Sequence, residues 1–300
     1  MAKAERGIDS VLGKQLTEYK STYDPDILAR EPRAGNREQY RIWDDELPFV
    51  GFDTWRAWEI SMLTDKGLPV NGTVKLIVPA SSPYLVESKS LKLYFFSFNM
   101  ERMGPTKAEA IERFEQTAIK DISAIVGAPV QLKFWDAHMR DAEIAYNEPS
   151  DLFSADALES LTDLEQITFD TFAEDPNLLK EGEHKDIFLY SDLLRSNCKI
   201  TNQADFGTVF IHMKGDTGVA LDSLAKYIVS FRNENHFHEE IVECLYKRLL
   251  DKFNPTELMV TALYTRRGGI DINPVRATDT DLFPTVLGQI NLTDVKDYRQ

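Results

Sequence analysis

Residues 86–99 read VESKSLKLYFFSFN, and residues 219–233 read VALDSLAKYIVSFRN. At a constant offset of 133 positions, Val86 falls on Val219, Ser90 on Ser223, Leu91 on Leu224, Tyr94 on Tyr227, Ser97 on Ser230 and Phe98 on Phe231. Six identities in 13 positions without a gap point to a duplicated unit. The flanks agree. Residues 72–80 (GTVKLIVPA) and 207–213 (GTVFIHM) are β-branched runs of strand type. A second helix follows in each copy. In the first, Thr106 and Glu109 form a capping box, Ile111, Phe114, Ala118, Ile122 and Ile125 recur at helical spacing, and Gly127 ends the run. In the second, Ile241, Leu245, Leu249 and Phe253 share one face of residues 238–253, and Pro255 stops it. A late strand is expected over 258–265 (LMVTALYT). Each half reads as strand, helix, helix, strand, an α+β unit with antiparallel pairing.

Between the copies lies an acidic stretch. Residues 141–186 hold 14 Asp or Glu and 2 Lys, which is −12 of the net −15. The expected organisation is a first module over 1–145, an acidic linker or surface segment over 146–186 and a second module over 187–300. A chain this acidic is ill-suited to a polyanion, so no nucleic-acid partner is expected. No run approaches the roughly 18 apolar residues of a membrane span, and MAKAERGIDS has no signal-peptide core. A cytoplasmic location without membrane contact is the expectation.

Cys198 and Cys244 are the two cysteines, too few for a disulfide framework or a four-cysteine zinc site. Cys244 lies among the apolar positions of the second-half helix and reads as a small core residue. Cys198 lies in Ser196-Asn197-Cys198-Lys199-Ile200-Thr201, a polar loop in which the neighbouring Lys199 would favour the thiolate. Taken alone, this is compatible with an incidental loop thiol or with a nucleophile. Asp205, seven residues on, is a turn residue or a proton donor. His238 and Glu239 open a helix, where Glu suits the helix dipole; equally, a carboxylate there can accept two parallel hydrogen bonds from a guanine-like ring. Glu87, Ser88 and Lys89 face Ala220, Leu221 and Asp222 in the repeat, so this polar triplet belongs to one half only. Arg266, Arg267, Gly268 and Gly269 follow a strand and read as a hairpin turn or as a phosphate contact. Neither G-x-G-x-x-G after a strand nor a Gly-Lys-Ser/Thr phosphate loop occurs.

Together these segments resemble one family. Glu87-Ser88-Lys89-Ser90-Leu91-Lys92-Leu93-Tyr94 resembles the signature of the nitrile reductases of queuosine biosynthesis (the QueF family), which sets them apart from related GTP cyclohydrolases. Ser196-Asn197-Cys198 with Thr201, Gln203, Asp205 and Gly207 resembles the family's nucleophile loop, and Phe237-His238-Glu239 and Tyr264 to Gly269 match in the same order. Lys199 stands where members often carry Pro. The resemblance spans essentially the whole chain and is to the long form, with the signature in the first module and the cysteine in the second.

What the resemblance implies is a tunnelling fold (T-fold) of two tandem ββαα(ββ) modules, assembled as a homodimer. It implies NADPH-dependent reduction of the nitrile of 7-cyano-7-deazaguanine to the aminomethyl group, a step towards a modified tRNA base. Cys198 would form a thioimide, with Asp205 and His238 handling protons. Val86, Glu87, Ser88, His238 and Glu239 would hold the deazaguanine. Ser88, Lys89, Arg267 and Gly268 would hold NADPH, and no metal would be needed. The rival readings are a GTP cyclohydrolase-like hydrolase and a non-catalytic purine or pterin-binding module.

Overall fold

The computed structural model describes residues 20–136 and 154–292. The first half contains β1 (Arg30–Pro32), α1 (Ala34–Arg37), β2 (Val50–Thr64), β3 (Pro69–Pro79), β4 (Tyr84–Val86), α2 (Ser88–Ser97), β5 (Arg102–Gly104), α3 (Lys107–Val126) and β6 (Gln131–Asp136). The second contains β7 (Asp156–Ala157), α4 (Leu158–Leu161), β8 (Glu181–Gly182), β9 (His184–Ser191), β10 (Arg195–Cys198), β11 (Ala204–Val219), α5 (Leu221–Ser230), β12 (Asn235–His236), α6 (His238–Phe253), β13 (Glu257–Tyr264), β14 (Ile270–Ala277) and α7 (Thr285–Gly288). Among the described residues, twelve strands join one mixed, mainly antiparallel sheet. The two halves meet inside it, where β14 pairs antiparallel with β2 from Ile270↔Ala57 to Ala277↔Val50. The architecture is α+β, as expected, with a further long strand, β2 in the first half and β9 in the second, ahead of the one that residue periodicity had indicated.

The repeat is structural. α2 and α5 have bounds that coincide at the 133-residue offset. The repeated side chains do the same work twice. Ser90 Oγ donates to the Glu87 carbonyl at 2.7 Å and accepts from the Ala29 N–H at 3.0 Å. Ser223 Oγ donates to the Ala220 carbonyl at 2.7 Å and accepts from the Lys180 N–H at 3.0 Å. Ser97 and Ser230 each bond back to the carbonyl three residues earlier, of Tyr94 and Tyr227. The buried Tyr94 and Tyr227 hydroxyls each find a carboxylate, Asp121 and Glu174, at 2.8 and 2.7 Å. A buried hydroxyl requires such a partner, which is why the two tyrosines and four serines are among the positions held in common.

These contacts expose a further repeat. Asp24-Pro25-Asp26-Ile27-Leu28-Ala29 and Asp175-Pro176-Asn177-Leu178-Leu179-Lys180 are equivalent straps. In each, the Asp caps a one-turn helix through the N–H two residues on, at 3.0 and 2.9 Å, and Leu28 and Leu179 are buried. The described part of the acidic stretch, 154–186, is therefore laid against the second half. Leu158 and Leu179 sit in its core, Glu174 pairs with Arg248 at 3.0 Å, and residue 187 falls inside β9. The straps are offset by 151 residues, not 133, because the first half carries a longer connection, 33–49, between its strap and β2.

Each half has its own core. Leu91, Phe95, Phe98, Phe114, Ile122 and Phe134 pack in the first, and Leu224, Ile228, Phe231, Ile241, Leu245 and Val260 in the second. A third apolar cluster covers the sheet where the halves join, around Phe52, Phe210, Leu263, Val275 and Leu287. α3 starts on the Thr106 cap and ends on Gly127 at φ +73°, the left-handed stop expected of glycine. Among the described residues, no helix is long and apolar enough to cross a membrane.

Candidate active site

Cys198 is the last residue of β10, not a residue of an open polar loop, and it is 9% exposed. The chain then reverses through Lys199–Asn202. Cys198 N–H donates to the Gln203 carbonyl at 2.7 Å, Asn202 N–H returns to the Cys198 carbonyl at 2.9 Å, and Asn202 takes φ +55°. This tight reversal aims the Ile200 and Thr201 amides at the sulfur. Burial works against the thiolate. It is outweighed by hydrogen bonds from the Thr201 hydroxyl, those two amides and the Arg267 guanidinium, which hold the thiol below its ordinary range. The reading of Lys199 as the activating cation is corrected. Its Nζ pairs with Glu240 at 2.8 Å and lies over the Phe237 ring. The cation at the sulfur is Arg267, 69 positions away in sequence.

Asp205 lies within β11, opposite Ser196 of β10, and is buried. Its Oδ1 accepts from Arg267 Nη1 at 2.7 Å, and its Oδ2 lies 3.4 Å from His238 Nε2. His238 opens α6. Its ring stacks on Tyr264 of β13, with centroids 3.7 Å apart and planes within 1°. Its Nδ1 is buried without a hydrogen-bond partner among the described residues. Cys198, Arg267, Asp205 and His238 thus form one connected group, assembled from β10, β11, the β13–β14 turn and α6.

Glu239, the next residue, is 2% exposed. Burial and the neighbouring Asp53 push its carboxyl up to about 8, while Arg33 and Arg276 pull the other way. Around it runs a buried ionic network that sequence reasoning missed. Arg33 reaches Asp53 at 2.6 Å, Arg276 reaches Asp53 and Glu243 at 2.8 Å each, and Arg37 reaches Glu243 at 2.7 Å. Arg33 and Arg37 belong to the 33–49 connection found in the first half alone, so that insertion ties α6 of the second half to β2 of the first. One sequence signal existed: Arg276 stands in the otherwise largely apolar run Ile270–Ala277.

The first-half candidates are placed less directly. Val86 is buried in the core. Glu87 caps α2, with its two carboxylate oxygens accepting from the Lys89 and Ser90 N–H groups at 3.0 and 2.7 Å. The polar triplet therefore has a structural use, and α5, whose Ala220 offers no side-chain cap, lacks it. Among the described residues, no hydrogen bond or ion pair joins Val86, Glu87 or Ser88 to Cys198, Asp205, His238 or Glu239. What connects α2 to the second half is the β13–β14 turn. Arg267 N–H meets the Ile270 carbonyl at 2.9 Å, with φ +61° at Gly268 and +80° at Gly269, a two-residue hairpin turn that needs glycine. A Cβ on Gly268 would stand 3.0 Å from Lys92 Nζ of α2. Bare backbone with Lys92 and Arg267 beside it fits a phosphorylated cofactor. Among the described residues, no three His, Cys, Asp or Glu side chains are grouped to hold a metal.

Comparison with known proteins gives the family. Residues 19–134 match the family described as "Nitrile reductase, 7-cyano-7-deazaguanine-reductase N-term", and residues 204–281 match "QueF-like protein". A relative from Psychrobacter cryohalolentis, named NADPH-dependent 7-cyano-7-deazaguanine reductase, is 39% identical over 92% of this chain and 96% of its own. Relatives of the same name from Coxiella burnetii and Acinetobacter baumannii are each 41% identical. The first match covers 90% of this chain and 92% of the relative; the second covers 92% and 95%. The chain belongs to the 7-cyano-7-deazaguanine nitrile reductase (QueF) family.

Proposed function

We propose that this chain reduces the nitrile of 7-cyano-7-deazaguanine to the aminomethyl group, with Cys198 as the covalent nucleophile, as a homodimeric tunnelling-fold enzyme of the cytoplasm. The observation that carries the chemistry is a thiol favoured as thiolate with Arg267, Asp205 and His238 in one connected group around it. The names of the relatives supply the substrate and the cofactor.

A nitrile carbon is a poor hydride acceptor. Addition of the Cys198 sulfur forms an S–C bond and opens one C≡N π bond, and the electron pair goes to nitrogen, which takes a proton from Asp205. The product is a thioimide, a C=N unit more open to reduction. Ser88, Lys89, Arg267 and Gly268 would hold NADPH, which would supply the two hydrides, so that nitrile, two NADPH and two protons give amine and two NADP+. After the first reduction Cys198 leaves as thiolate, which its amide and guanidinium contacts stabilise. Glu239, ionised, accepts two N–H donors of the deazaguanine ring. His238 returns protons to Asp205 through Nε2. Val86 and Ser88 line the substrate from the first half together with Glu87, whose carboxylate retains lone pairs beyond those used in capping.

The test is intact mass after mixing the protein with the nitrile in the absence of NADPH. A substrate-sized adduct is expected, lost in Cys198→Ala; on adding NADPH, two equivalents are oxidised per amine. No adduct, or unchanged turnover in Cys198→Ala, refutes the reading.

A further inference from the structure

Arg267 belongs by family resemblance to the cofactor site, and its guanidinium also reaches into the substrate site. Nη1 sits 2.7 Å from Asp205 Oδ1. Asp205 faces Ser196 across the β10–β11 ladder, two residues from Cys198, and the Arg267 guanidinium is one of the groups that favour the thiolate there. The turn that carries Arg267 runs through Gly268 and Gly269 at left-handed φ, where a Cβ would run into Lys92 and Glu59. We propose that Arg267 is a positioning residue for the first, cofactor-independent step: it bridges the Cys198 sulfur and Asp205 Oδ1, and leaves Oδ2 as the one oxygen of Asp205 that carries the transferred proton. This rests on the nitrile-reductase reading of the same site.

Two consequences follow from the bridge. A guanidinium beside the sulfur favours the nucleophilic thiolate. Because Oδ1 is occupied, the proton travels from His238 Nε2 to Oδ2, 3.4 Å away. The other charged groups around the sulfur are already committed. Lys199 is paired with Glu240, and His236, opposite Cys198 on β12, lies 3.2 Å from Glu240 and 3.5 Å from Glu234. Glu239 faces Asp53, Arg33 and Arg276, and the Tyr264 ring is stacked under His238. Among the described residues, Arg267 is the cation that faces the sulfur and Asp205 together.

The experiment follows Cys198 alkylation by iodoacetamide against pH, read by peptide mass so that the fully buried Cys244 is scored separately, in wild type, Arg267→Met, Arg267→Gln and Arg267→Lys. An opposite charge at this range shifts a pKa by about 1–3 units when buried; Arg267 is 41% exposed, which discounts that to about one unit. We expect the profile to move up by about one pH unit in Arg267→Met and Arg267→Gln, with alkylation at pH 7 and nitrile-adduct formation without NADPH both slowed several-fold. Arg267→Lys should recover most of the loss. Melting temperatures, read alongside, should stay near that of wild type, since a merely structural role would lower them without moving the profile. An unmoved profile with an unchanged adduct rate, and only a raised KM for NADPH, overturns the proposal and leaves Arg267 as a cofactor contact. Failure of the wild type to form any adduct instead sinks the nitrile-reductase reading, because the alkylation profile needs no substrate.

Discussion

If Glu239 anchors the ring as an acceptor, it must be ionised, and its surroundings oppose that. Burial and Asp53 push it up to about 8, so in the free protein at pH 7 only about one copy in eleven is ionised, and at pH 6 about one in a hundred. Binding through the carboxylate must therefore expel a proton: about 0.9 per site at pH 7. Affinity should rise about tenfold from pH 6 to 7, about fivefold from 7 to 8, and about twofold more by pH 9. The matching stability effect has the opposite sense. A carboxyl whose folded-state value is raised contributes stability below the ordinary carboxylate range, lost as pH climbs towards 8. The assay is calorimetric titration of the nitrile into Cys198→Ala, which keeps binding non-covalent, in buffers of different ionisation heat at pH 6, 7, 8 and 9. Glu239→Gln should bind more weakly and lose the pH slope, because its amide presents an N–H to the ring's donors. Flat affinity with no proton release in Cys198→Ala refutes the reasoning. A slope that survives in Glu239→Gln assigns the linkage to another group.

Two further outcomes test the site's supports. Arg276→Met strips the shared cation from Asp53 and Glu243, two buried carboxylates; breaking such a pair costs about 3–5 kcal/mol, to be read as a lowered urea midpoint. Lys199→Met takes a half-exposed cation from the buried Glu240, which keeps His236 and the Phe237 N–H as partners; it should cost about 1 kcal/mol and leave the Cys198 alkylation profile in place, and a clear upward move would restore Lys199 as the activating cation.

The residues themselves made the duplication, the α+β class and most helix bounds legible, because these follow from local periodicity and capping. Thr106 and Gly127 delimit α3 in sequence as in structure, and α6 spans 238–253 as its apolar face indicated. The strap repeat escaped a constant-offset reading because the insertion over 33–49 shifts its register, and that insertion is where Arg33 and Arg37 come from. Glu87 shows a different limit. A carboxylate one residue before a helix is an N-cap by local chemistry, and a ligand as well only if the fold places a substrate beside it.

The sequence by itself determined that two copies of one unit exist, that one of them carries Cys198, and which family the motifs resemble. Only the tertiary structure decided what surrounds the sulfur. Periodicity records which face of an element is apolar, whereas hydrogen bonds and charge pairing depend on where distant turns land. The adjacent Lys199 turned away to Glu240, and Arg267, fixed by two left-handed glycines on a hairpin 69 residues on, took its place between Cys198 and Asp205.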